Sequence, residues 1–232
     1  MTKKRIATMA TCIALVGAVA VGGTLALLSS QTDTVTNTFT VGTGYVDGAF
    51  NVKEHAVKPQ NATAPNFGGY DFVTPNEWDA DGQITYANLV GNTTLAKDPT
   101  LVLDAGTSPD SWMVAKITGL DENASGKRAV LTVTGIDTNA ENGVWFKYED
   151  GVYTEVTSTT QVTNGTYIFN KVVSAGGQTD PLFTQLTVGE TVTPANPENV
   201  DIVVKGVAIE AVAGATFENS RDAVMAALPS GF

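Results

Sequence analysis

From residue 34 to residue 209 the chain is a succession of short β-branched and aromatic runs closed by Gly, Asn, Asp or Pro, and this punctuation constrains the fold most. Residues 101–103 and 111–117 bracket a turn signal running from Gly106 to Asp110. Residues 130–134 alternate apolar and hydroxyl side chains, the period of a half-buried strand. Residues 144–148 and 152–156 flank Asp150-Gly151, a pair suited to a tight primed turn, and so predict a hairpin. Further strands are expected at 34–41, 166–170, 183–188 and 200–209, the last nearly all apolar and so expected to be covered on both faces. Only residues 220–228 have helical character, with Ser220 as N-cap, Asp222 in the first turn and Pro229 as the stop. The pattern predicts an all-β fold, an antiparallel jelly-roll-like sandwich with a short C-terminal helix. Residues 59–92, rich in Pro, Gly, Asn and Asp, read as a long polar excursion from one sandwich domain spanning 43–232.

The N-terminus follows another logic. Lys3-Lys4-Arg5 precedes an uncharged run over residues 6–28, with small side chains at Thr24 and Ala26. Basic flank, apolar run and small residues are the pattern of a secretory signal, with cleavage expected after Ala26. The competing reading is an uncleaved membrane anchor, since the run exceeds the roughly 20 residues that span a bilayer. Its richness in Ala and Gly favours cleavage. Cys12, at the start of the run, is badly placed for lipid attachment. The expected location is therefore secreted, in an extracellular matrix or at the cell surface.

Charge and chemistry narrow the function classes. Without Lys3, Lys4 and Arg5 the chain keeps 10 basic against 24 acidic residues, a formal charge of −14. Nucleic acid and anionic lipid both reward basic patches, so neither is an expected partner. Cys12 is the sole cysteine, so no intrachain disulfide can form and stability has to come from a hydrophobic core. His55 is the sole histidine, which removes the paired histidines of a zincin site. A Ser-His-Asp triad would have to use His55, and no nucleophile motif accompanies it. The sequence reads His55 as a solvated surface residue, and no catalytic residue is assigned.

Glu77, Asp79, Asp81 and Gln83 form the one metal candidate, a partial calcium loop with Gly82 at the turn. It departs from an EF-hand in having Glu77 first and Asn88 twelfth, and a plain acidic turn is the alternative. No other cofactor is expected. Trp112 and Trp145 fall within strands and are expected in the core, whereas Trp78 is the candidate for an exposed contact. The Asn-X-Ser/Thr sequences at Asn61, Asn92, Asn123 and Asn164 read as turn residues.

Several blocks together resemble the family of Gram-positive exported proteins that includes TasA and camelysin. They are residues 22–30 at the signal end, residues 36–42, the Lys97-Asp98-Pro99 strand entry, residues 112–117, residues 174–183, and Val207 to Ala211 with its following helix. The signal end departs from the family in lacking an aromatic residue. The resemblance implies export through a SipW-type signal peptidase and a structural role as a fibre-forming subunit of a bacterial biofilm matrix. It also implies self-association by N-terminal strand exchange. Residues 27–42 would be the donor strand, with alternate side chains Val35, Asn37, Phe39 and Val41 reaching the acceptor. Pairing of this strand within its own domain is the competing reading. The implied partners are further copies of the chain or related matrix subunits, with membrane contact only through an uncleaved signal. Two other functions stay open: a monomeric adhesin binding a glycan or host ligand through residues 59–92, and a camelysin-like secreted peptidase.

Overall fold

The structure, a computed structural model, describes residues 29–32, 49–61, 68–73, 77–79, 84, 86, 89–106, 108–120, 131–137, 142–190, 192 and 202–232, with the backbone alone for 29–32. The strands in chain order are β1 (Ser29–Thr32), β2 (Phe50–Lys53), β3 (Val57–Pro59), β4 (Tyr70–Phe72), β5 (Thr94–Ala96), β6 (Thr100–Leu103) and β7 (Ser111–Thr118). They continue as β8 (Leu131–Gly135), β9 (Trp145–Glu149), β10 (Val152–Glu155), β11 (Gly165–Phe169), β12 (Gln185–Val188) and β13 (Val203–Glu210), followed by the helix α1 (Phe217–Ala226). The fold is an all-β sandwich.

One sheet has the order β1-β13-β7-β11-β9-β10, a second β3-β4-β5-β12-β8, and β2 pairs with β6. Among the described strands every pairing is antiparallel except a single parallel contact between Tyr70 of β4 and Leu95 of β5. The main core takes Met113, Ala115 and Ile117 from β7, Tyr167 and Phe169 from β11 and Ala208 from β13. Leu95, Leu101, Leu186 and Phe50 come from the remaining strands. Alternate residues of the same strands, Trp112, Val114, Ile168, Val207 and Ile209, form a second cluster against α1. Both faces of β7 and β13 are therefore covered, which is why these strands read as nearly all apolar, interrupted by Lys116 and Lys205.

The Asp150-Gly151 hairpin forms as expected, with φ of 49° and 82°, both positive as a type I′ turn requires. Trp112 and Trp145 are buried. Two expectations need correction. Ser220 lies inside α1, whose N-cap is Thr216, because Phe217 docks against Trp112, Phe146 and Tyr153 and tertiary packing extends the helix by a turn. The polar excursion contributes β4, which pairs with β3 and joins the second sheet through β5.

Candidate functional site

Two consecutive ion pairs meet where β2 ends and β5 gives way to β6. Glu54 pairs with Lys97, and His55 with Asp98. Both partners lie 43 residues apart, so a two-residue segment is matched side by side to another. The Lys97 amine donates to Glu54 Oε1 at 2.6 Å and to Oε2 at 2.7 Å. Asp98 accepts the His55 backbone N–H at 2.9 Å on Oδ1 and faces His55 Nδ1 at 2.5 Å with Oδ2. A carboxylate can only accept, so Nδ1 carries the proton of that contact. Asp98 is 7% exposed and Lys97 8%. Buried charges of this kind persist only when paired and hydrogen-bonded.

Aromatic rings close the cluster. Trp78 stacks on the imidazole with centroids 4.0 Å apart and planes 14° from parallel, and Phe72 meets the imidazole edge-on at 6.0 Å. A bridge between His55 and Trp78 aligns the backbones, with Ala56 N–H donating to Glu77 O and Asp79 N–H to Glu54 O, each at 2.8 Å. Tyr86 donates its hydroxyl to Ala96 O at 2.6 Å and meets Tyr70 edge-to-face. Burial first, then the charges of Glu54 and Asp98, pushes the Tyr86 phenol far above the usual tyrosine range.

His55 is thus no solvated surface residue: its side chain is 16% exposed and tied on one side to Asp98 and on the other to Trp78. Trp78 has one ring face occupied by His55. Glu77 and Asp79 flank Trp78, with their backbones bound to the 54–56 segment. Asp81 and Gln83 lie outside the described residues, as do Thr24 and Ala26 and the strand positions Val35, Asn37, Phe39 and Val41. Among the described residues no group of three or more His, Cys, Asp and Glu side chains is placed to hold a metal ion. No described helix is long and apolar enough to cross a membrane. A cavity of about 20 Å³ beside Trp145, Asp137 and Asp180 has room for about one water.

A second feature lies at the edge of the six-stranded sheet. β1 pairs antiparallel with β13 over Ser29↔Ile209 to Thr32↔Gly206, four of the eight residues of β13. The four described residues of the N-terminal segment therefore pair with the chain's own sheet.

Sequence reasoning passed over Glu54, Lys97 and Asp98 as a group. The matched spacing of 43 was their only signal, and it has meaning only once β2 and β5–β6 are brought together. Fold and site define a disulfide-free β-sandwich with a salt-linked polar enclosure and an N-terminal edge strand. No family model matches the chain, and no curated protein or solved structure matches it.

Proposed function

We infer that this protein is an extracellular structural subunit that self-associates by exchanging its N-terminal strand. The placement of β1 supports this reading. The main-chain pairing of this edge strand with β13 has the same partners available on a second copy of the chain. A neighbour's segment in the same register would meet the same β13 groups, so exchange exposes nothing new. The four described residues of β1 pair with half the length of β13.

A matrix subunit of a biofilm, released by signal cleavage after Ala26, is the setting that the resemblance implies. The net acidity of the chain favours solubility before assembly. Catalysis is not part of the proposal, because the His55–Asp98 pair is engaged with Trp78 rather than with a nucleophile.

Electron microscopy of the chain starting at Leu27, beside one starting at Gly42, tests this. Filaments from the longer form alone are expected. Dispersed particles from both forms overturn strand exchange and leave an adhesin role, which glycan retention by wild type against Trp78→Ala would then examine.

A further inference from the structure

The Glu54–Lys97 pair has the geometry of two reactants as well as of an anchor. The amine touches both carboxylate oxygens, at 2.6 and 2.7 Å, and the two side chains are only 12% and 9% exposed. Burying a full ammonium and carboxylate is costly even when they are paired, whereas an amide between the same atoms carries no charge. We propose that Lys97 and Glu54 are the site of an intramolecular amide crosslink formed within the folded sandwich.

The step balances without any outside reagent. A proton passes from the ammonium to the carboxylate, leaving an amine and an acid in contact. The terminal Glu54 torsion is broad and two-fold, so its rotation presents the carboxyl carbon to Nζ. The Nζ–Cδ bond forms and one Cδ–Oε bond breaks. The departing oxygen takes two protons from the nitrogen in all and leaves as water. Nothing is oxidised or reduced.

Two features of the enclosure favour this direction. Holding amine and carboxyl in contact replaces a bimolecular encounter with a local step, the effect that gives intramolecular reactions their high effective molarities. Tyr86, bound through its hydroxyl to Ala96 O next to Lys97, lies close enough for the charges of both Glu54 and Asp98 to act on its phenol, and Tyr70 packs edge-to-face against it. Seclusion from water opposes hydrolysis of the amide. The link would close the chain from residue 54 to residue 97 around the whole polar excursion, the task a disulfide performs elsewhere and that a chain whose sole cysteine is Cys12 cannot assign to sulfur.

Peptide mapping by mass spectrometry of the purified full chain decides the matter. The expected result is a branched tryptic peptide joining the Glu54 and Lys97 segments, lighter than the two linear peptides together by one water (about 18 Da), with no cleavage after Lys97. Lys97→Met and Glu54→Ala should each abolish it. Glu54→Gln should give the same branched product by losing ammonia instead of water. Two linear peptides of unmodified mass, with free cleavage after Lys97 in folded wild type, overturn the proposal. Should the variants fail to fold, the wild-type map alone still gives that answer.

Discussion

The strand seam β13-β7-β11 and the enclosure around Glu54, His55, Lys97 and Asp98 are both buried, yet they are built in opposite ways. The seam is held by side chains that bury wherever the sheet places them: Val114, Ile168 and Val207 on one face, Ala115, Tyr167 and Ala208 on the other. The enclosure is held by charges that tolerate burial only in one arrangement. Apolar packing degrades gradually when altered, but a buried charge that loses its partner has no second choice. The seam therefore sets the fold, and the enclosure sets how the 54–56 and 77–79 segments lie upon it.

The sharpest test removes one charge. Glu54→Ala strands the Lys97 ammonium in its pocket and should cost about 3–5 kcal/mol in urea unfolding. The double change Glu54→Leu with Lys97→Met should cost clearly less than Glu54→Ala alone, because no orphan charge remains. Two apolar deletions in the seam would instead accumulate, each loss of the Ile117→Ala kind being about 2–5 kcal/mol. If the Glu54/Lys97 changes also add, the enclosure is ordinary packing and the contrast fails.

Asp98→Asn probes the other pair. It keeps an acceptor for the His55 N–H but weakens the ring contact, so a loss of about 1.5–3 kcal/mol is expected, the range for hydrogen bonds to charged groups. Trp112 and Trp145 stay in the core, so any red shift in native fluorescence reports Trp78 leaving the imidazole. An unchanged spectrum would mean that the stack holds without the ion pair.

This contrast also separates what was legible from what was not. β7, β9, β10 and β11 were readable because runs such as 111–117 and the Asp150-Gly151 turn carry their reasons locally. Both faces of β13 were expected to be covered because its run is nearly all apolar, with apolar residues at both parities. The enclosure was not readable, since Lys97-Asp98 and Glu54-His55 are ordinary surface dipeptides until two strands bring them together. β4 was hidden for the same reason: Tyr70-Asp71-Phe72 has no strong strand pattern, and its pairing with β3 makes it one. The start of α1 moved because Phe217 found aromatic partners that no local signal encodes.

On the seam side, Gly206→Ala tests close approach between layers. A Cβ there would lie 2.7 Å from Phe50 Cζ, so the ring has to move. Overpacking of this kind should cost about 1–3 kcal/mol, and adding Phe50→Leu should recover part of the loss if the clash is the cause.

The enclosure also leaves a mark on alkaline stability. Burial and neighbouring carboxylates hold the Tyr86 phenol protonated in the fold, while in the unfolded chain it ionises near the ordinary value of about 10. Its contribution is therefore complete below that pH and is lost as pH rises above it, because only the unfolded state gives up the proton. Tyr86→Phe should flatten the fall in stability above about pH 10, read from urea midpoints at a series of alkaline pH values. An unchanged slope would place the alkaline sensitivity in other groups.

The smallest effect belongs to the hairpin tip, where nothing but backbone conformation is at stake. Gly151 sits at φ +82°, and apart from its chain neighbours no heavy atom lies within 4 Å of where a Cβ would stand, so Gly151→Ala meets no clash. Its cost should be the left-handed penalty alone, about 1 kcal/mol. Asp150, at φ +49°, already bears that conformation with a side chain, so Asp150→Gly should be near neutral or slightly stabilising. A Gly151→Ala loss as large as that of Asp98→Asn would show that the turn fixes the β9–β10 register, and that local geometry rather than the apolar seam holds this end of the sheet.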